Sequence, residues 1–158
     1  MLANRAFLPD AMHQMDVKRL RAQLERDHAG RSIIERPERY PTELLCVIEE
    51  DEDHQTAVGF IEEVAPHSHE KSTETYTVLQ GRLILVRDGI IRLLRPGIAI
   101  NILPGTIHSA EAGYSSHGHV ALVRVVSRPP LDPEDYVVAE ATSVTDAPAE
   151  RPPESEAV

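Results

Sequence analysis

Residues 59–81 read GFIEEVAPHSHEKSTETYTVLQG, and their alternation points to the architecture. Apolar and β-branched residues run up to Val64, two histidines follow one residue apart, and Glu74, Tyr76 and Val78 then alternate with threonine and leucine before Gly81. A period of two is the mark of an extended chain with one face turned inward. The spacing predicts one strand over 57–64 and a second over 75–80, with a tight reversal at Gly81. Further short runs rich in Val, Ile and Leu follow at 43–48, 82–86, 90–94, 98–103 and 120–127, each bounded by Gly, Pro or Asp. Asp88-Gly89 is a hairpin signal, because the two-residue turn needs positive φ. Strands repeating every 8–12 residues with no helix between them imply an all-β antiparallel barrel or sandwich rather than a parallel α/β sheet.

Outside this region the composition changes. Residues 1–40 are expected to form an N-terminal arm with a helix over about 10–29. Asp10 would be its N-cap, Gly30 its end, and Val17, Leu20 and Leu24 one apolar stripe. The barrel is expected over 41–140. The stretch 141–158, ending TDAPAERPPESEAV, is too polar to bury a core and reads as a disordered acidic tail. The cluster EEDED at 49–53 reads as a solvated loop.

The 158 residues carry 16 Lys plus Arg against 26 Asp plus Glu, a formal charge of −10, which argues against nucleic acid as a partner. No run approaches the roughly 20 apolar residues of a membrane helix. The single cysteine, Cys46, closes no disulfide within the chain and supplies no thiolate cluster. These features suit a cytoplasmic protein with no membrane partner.

Along an extended segment His67 and His69 share a face, where two imidazoles can converge on one ion. Glu74 begins the next strand, and His108 follows the turn Pro104-Gly105. Three histidines and a carboxylate are a nitrogen and oxygen ligand set without sulfur, suited to one divalent ion of Fe, Mn, Ni or Zn with positions left for a substrate. Tyr76 lies on the face of Glu74, so it is a candidate acid or base, its ionisation eased by a nearby cation. Arg82 and Arg124 interrupt barrel strands and are expected to face solvent. His117 and His119, in GYSSHGH, belong to a loop. Neither Ser68 nor Cys46 comes with a positioned base.

These residues resemble the two motifs of the cupin family. His67-Ser68-His69, four residues, Glu74, six residues and Gly81 look like the first; GIAINILPGTIH at 97–108, with Pro104-Gly105, two residues and His108, looks like the second. The match departs at Gly59, which precedes His67 by seven intervening residues rather than the usual five before the histidine pair, and at Ile98, Leu103 and Ala112, where Asp, Pro and Asn are common. None of the four ligands is affected. The resemblance implies a small double-stranded β-helix, a jelly-roll-like barrel, holding one metal near its mouth. It implies a metal-dependent enzyme acting on a small oxygenated metabolite, by dioxygenase or by redox-neutral isomerase, cyclase or lyase chemistry. The alternative is a non-catalytic module that binds a small molecule or senses metal. A homodimer is expected, because cupins commonly pair and the stripe at Val17, Leu20 and Leu24 needs a cover.

Overall fold

A computed structural model describes residues 15–139. Among the described residues eleven strands form two antiparallel sheets. The larger sheet contains β1 (Ile33–Arg36), β2 (Glu43–Glu50), β3 (Gln55–Ile61), β5 (Thr73–Gln80), β8 (Ala99–Ile102) and β10 (Ala121–Arg128), in the order β1-β2-β3-β10-β5-β8. The smaller contains β4 (Glu63–Ser68), β6 (Arg82–Arg87), β7 (Ile90–Leu94), β9 (His108–Gly113) and β11 (Val137–Val138), in the order β11-β4-β9-β6-β7.

The inner faces follow from alternation. On β10 Ala121, Val123, Val125 and Ser127 are buried while Arg124 and Arg128 are exposed. These side chains meet Val78 and Tyr76 of β5 and, from the other sheet, Leu83, Leu85, Ala110 and Ala112. Arg82 is also exposed, so both arginines face water as the sequence suggested. Gly59 is fixed by close approach rather than by motif spacing: a Cβ there would stand 1.9 Å from the Leu44 carbonyl oxygen of the adjacent strand. At the β6–β7 hairpin Asp88 and Gly89 take φ values of 50° and 75°, as the Asp-Gly turn requires.

Three readings change. The apolar run 57–64 is two strands rather than one, because the fully buried Glu62 sits where the chain passes from the larger sheet to the smaller. Strands β1, β9 and β11 are additional. The first lies inside the segment expected to be an arm and pairs with β2 through Ile34 opposite Leu45 and Arg36 opposite Glu43. The helix, α1 (Val17–Asp27), starts at Asp16, whose side chain accepts from the Arg19 backbone N–H, rather than at Asp10. Asp10 and the expected tail at 141–158 lie outside the described residues.

Helix α1 covers the outer face of the larger sheet. Leu20 and Leu24 are buried with Met15, Leu44, Cys46, Phe60 and Val120 in a second core. The apolar stripe that pointed to a dimer is therefore covered by this chain's own β2 and β3. Exposed apolar residues lie elsewhere, among them Ile90, Ile91 and Leu93 of edge strand β7 and Val137 and Val138 of edge strand β11.

Candidate metal centre

The four sequence-selected ligands meet at one end of the barrel, and both sheets contribute. Register places His67 of β4 directly opposite His108 of β9, while Glu74 projects inward from β5, opposite Ile102. His69 follows the end of β4, and its backbone carbonyl accepts from Gly105 N–H at 2.7 Å, tying the first motif to the Pro104-Gly105 turn of the second. Gly105 has φ 79°, a conformation that glycine adopts without strain.

All four side chains are buried, and one ligand atom from each lies within 4.8 Å of the others. Each imidazole is oriented through its other nitrogen. Nδ1 of His67 donates to the Ala65 carbonyl at 2.8 Å, Nδ1 of His69 to the Asp135 carbonyl at 2.6 Å, and Nδ1 of His108 to the Thr106 carbonyl at 2.9 Å. A proton on Nδ1 leaves a lone pair on Nε2, so the rings are set as metal ligands. Nε2 of His108 lies 3.1 Å and Nε2 of His69 3.2 Å from Glu74 Oε1. Despite that proximity, Glu74 Oε1 and His108 Nε2 have no hydrogen-bond partner although both are buried. Buried polar atoms left without partners are costly, and lone pairs converging on a carboxylate oxygen need a positive charge between them. The residues fit a divalent cation.

Burial pulls the His67 imidazolium down, to about 4, with His108 adding to the effect, so the ring is neutral at pH 7. For Glu74 burial acts upward, but the adjacent His108 and His69 imidazoles prevail and bring the carboxyl to about 2. Tyr76 is buried in the same cavity, its ring 6.2 Å from that of His108. Burial, then the Glu74 and Glu43 carboxylates, push its phenol well above its ordinary value. These protein groups act on Tyr76 in the direction opposite to the eased ionisation expected beside a cation.

Several residues that the sequence did not single out complete the site. Tyr136 stacks on His67, and the Arg36 guanidinium lies 5.6 Å from the Tyr136 ring centroid. Glu43, opposite Arg36, is buried, and burial pushes its carboxyl up to about 7 although Arg36 acts downward. Asp135 accepts from the Glu70 and Lys71 backbone N–H groups through its carboxylate. Arg36 and Glu43 carried no usable signal, since β1 is four residues long with no alternation in burial and β2 opens with four buried positions in a row. Tyr136 and Asp135 had no local signal, since their contacts arise from the docking of β11 on β4.

A second group, Glu49, Asp51 and His54, closes the β2–β3 turn, where Asp51 Oδ1 accepts from the Asp53 and His54 backbone N–H groups. It is the solvated loop expected at 49–53. His117 lies in a turn and is exposed; His119 lies beside it in the same loop. No described helix is long and apolar enough to cross a membrane.

No protein-family model and no curated protein matches the chain. Solved structures do. KdgF from Halomonas sp. is 22% identical over 64% of this chain and 88% of its own, with a TM-score of 0.56. Pac13 of Streptomyces, a nucleoside dehydratase also solved with uridine, is 12% identical over 71% of this chain and 90% of its own, with a TM-score of 0.58. An RmlC-like cupin from Shewanella frigidimarina is 14% identical over 63% and 85%, with a TM-score of 0.53. At such identities the likeness is one of fold: with its two antiparallel sheets closing over one core, this chain has the double-stranded β-helix fold of these structures.

Proposed function

We propose that this protein is a metal-dependent enzyme acting on a small oxygenated metabolite by redox-neutral chemistry, as an isomerase, cyclase or lyase. The observation that carries the reading is the pair of buried, partnerless atoms, Glu74 Oε1 and His108 Nε2, facing each other across the ligand set. His67, His69, Glu74 and His108 would hold one divalent ion. When bound, such an ion polarises a carbonyl or hydroxyl oxygen of the substrate as a Lewis acid. Tyr76, its phenol pushed upward by the surrounding protein groups, then holds the proton that such a reaction delivers or returns. Its burial keeps bulk water from competing for that proton. That Pac13, with the same fold, is a nucleoside dehydratase supports elimination chemistry on this scaffold. The reading includes a homodimer, with its apolar cover on Ile90, Ile91 and Leu93 of β7 rather than on the helix, since an exposed apolar edge strand is a ready pairing surface.

The test is metal analysis of protein purified without added metal, followed by oxygen-uptake assays. One divalent ion per chain with no oxygen consumption is expected. Iron with substrate-dependent oxygen uptake would move the assignment to a dioxygenase. Stoichiometric capture of a ligand without turnover, unaltered by His67→Ala, would make the protein a binding module. A protein holding no divalent ion would remove the mechanism.

A further inference from the structure

We infer that Arg36 anchors the substrate by pairing with a carboxylate, so that the metabolite is an oxygenated carboxylic acid. The inference rests on the metal-dependent reading above and adds the substrate's class.

Arg36 ends β1 on the inner face of the larger sheet, opposite Glu43. Its guanidinium is half-buried and makes no ion pair among the described residues; its aromatic contact is the Tyr136 ring. An arginine turned inward with open donors is rare unless an anion completes it, because five N–H groups must then find acceptors. Beside it lies a cavity of about 90 Å3, lined by Arg36 with Ile34, Leu45 and Val125 and by the polar side chains of Gln55 and Ser127. The four candidate ligands do not line the cavity, but two of its lining residues are strand neighbours of the centre: Ser127 pairs with Glu74 and Val125 with Tyr76 across β10 and β5. Tyr136 bridges the remaining gap, stacked on His67 at 4.5 Å and facing Arg36 at 5.6 Å, which bounds the distance from the guanidinium to the His67 ring at about 10 Å.

The chemistry selects a carboxylate over a phosphate. A planar guanidinium matches the two oxygens of a carboxylate in a bidentate pair. A phosphate dianion would need further cations or backbone N–H groups, and the charged side chain opposite Arg36 is an acid, Glu43.

Ligand-observed NMR with propionate, its neutral isostere propionamide, and inorganic phosphate as competitor tests the assignment. It is run on zinc-loaded and chelator-treated full-length protein, with metal content measured on each sample. Saturation transfer to propionate but not to propionamide is expected, with no displacement by equimolar phosphate. Arg36→Gln should raise the propionate dissociation constant at least about tenfold. Arg36→Lys should fall between and guards against a folding defect in the first variant, and thermal unfolding of both checks integrity. Propionate binding unchanged in Arg36→Gln, equal binding of propionamide, displacement by phosphate, or no transfer at all would overturn the assignment. Arg36-dependent binding in a protein that takes up no metal would defeat the metal reading and leave the anchor standing. Metal uptake with Arg36-independent propionate binding would do the reverse.

Discussion

Tyr136 lies flat against His67, with ring centroids 4.5 Å apart and planes 10° from parallel. The tyrosine comes from the segment just before β11, whose Val138 pairs with His67 itself. One short strand therefore braces a ligand and covers it with an apolar face. Aromatic stacking of this kind contributes about 0.5–1.5 kcal/mol beyond area burial. Tyr136→Ala is accordingly expected to weaken metal binding by about three- to tenfold. Tyr136→Phe should leave it close to the parent. Chelator-competition titrations measure both, and equal losses in the two variants would assign the effect to the hydroxyl instead.

Asp135 supports His69 from two directions, its carbonyl accepting from the imidazole and its carboxylate from the Glu70 and Lys71 backbone N–H groups. Asp135→Ala removes the second support and leaves the first free to shift. Groups that orient a metal-bound histidine typically contribute 10- to 100-fold to affinity. A loss of roughly tenfold is expected in the same titration. Lys71→Ala, which breaks the exposed 3.6 Å pair with Asp132 and keeps the Lys71 backbone N–H in place, should change little.

The cluster of His67, His69, Glu74 and His108 was legible because each member declares itself over a few residues: a His-x-His pair, a carboxylate at the start of an alternating strand, a histidine after a Pro-Gly turn. Arg36 and Glu43 were not, because their inward direction depends on β1 adding to the sheet, and four residues of β1 leave too short a pattern to set a face. Strand β9 was hidden by small and polar residues, Ser109, Ala110, Glu111 and Ala112, whose alternation carries little hydrophobic contrast. Glu62 could have marked the break between β3 and β4, yet a carboxylate amid apolar residues reads equally well as an outward position.

The helix stripe shows the same limit, since apolar residues on one face call for a cover without saying whose. Leu24 is 2% exposed against β2 and β3. Leu24→Ala is expected to cost about 2–5 kcal/mol of stability in urea unfolding and to leave the association state unaltered. Ile91→Lys, on the exposed edge strand, should do the opposite. It should leave stability within about 0.5 kcal/mol and shift a dimer toward monomer in sedimentation velocity. Dissociation by Leu24→Ala alone would return the interface to the helix.

Glu43 gives the protein a pH dependence of definite sign. Burial raises its carboxyl from 4.5 to about 7, against the pull of Arg36. Below pH 4.5 the group is protonated in both folded and unfolded chains and costs nothing. As pH rises from 4.5 to 7 the unfolded chain sheds the proton while the folded chain keeps it, so stability falls; above 7 the loss is complete. The raised value corresponds to about 3 kcal/mol. Glu43→Gln removes this titration. The variant should match the parent near pH 4.5 and exceed it by up to about 3 kcal/mol at pH 8, measured by urea unfolding at both values. The difference between the two proteins isolates Glu43, because every other titrating group is shared. Parallel curves would mean that Arg36 keeps the carboxylate ionised throughout, in which case the guanidinium would already have its anion and the substrate carboxylate would have to bind elsewhere.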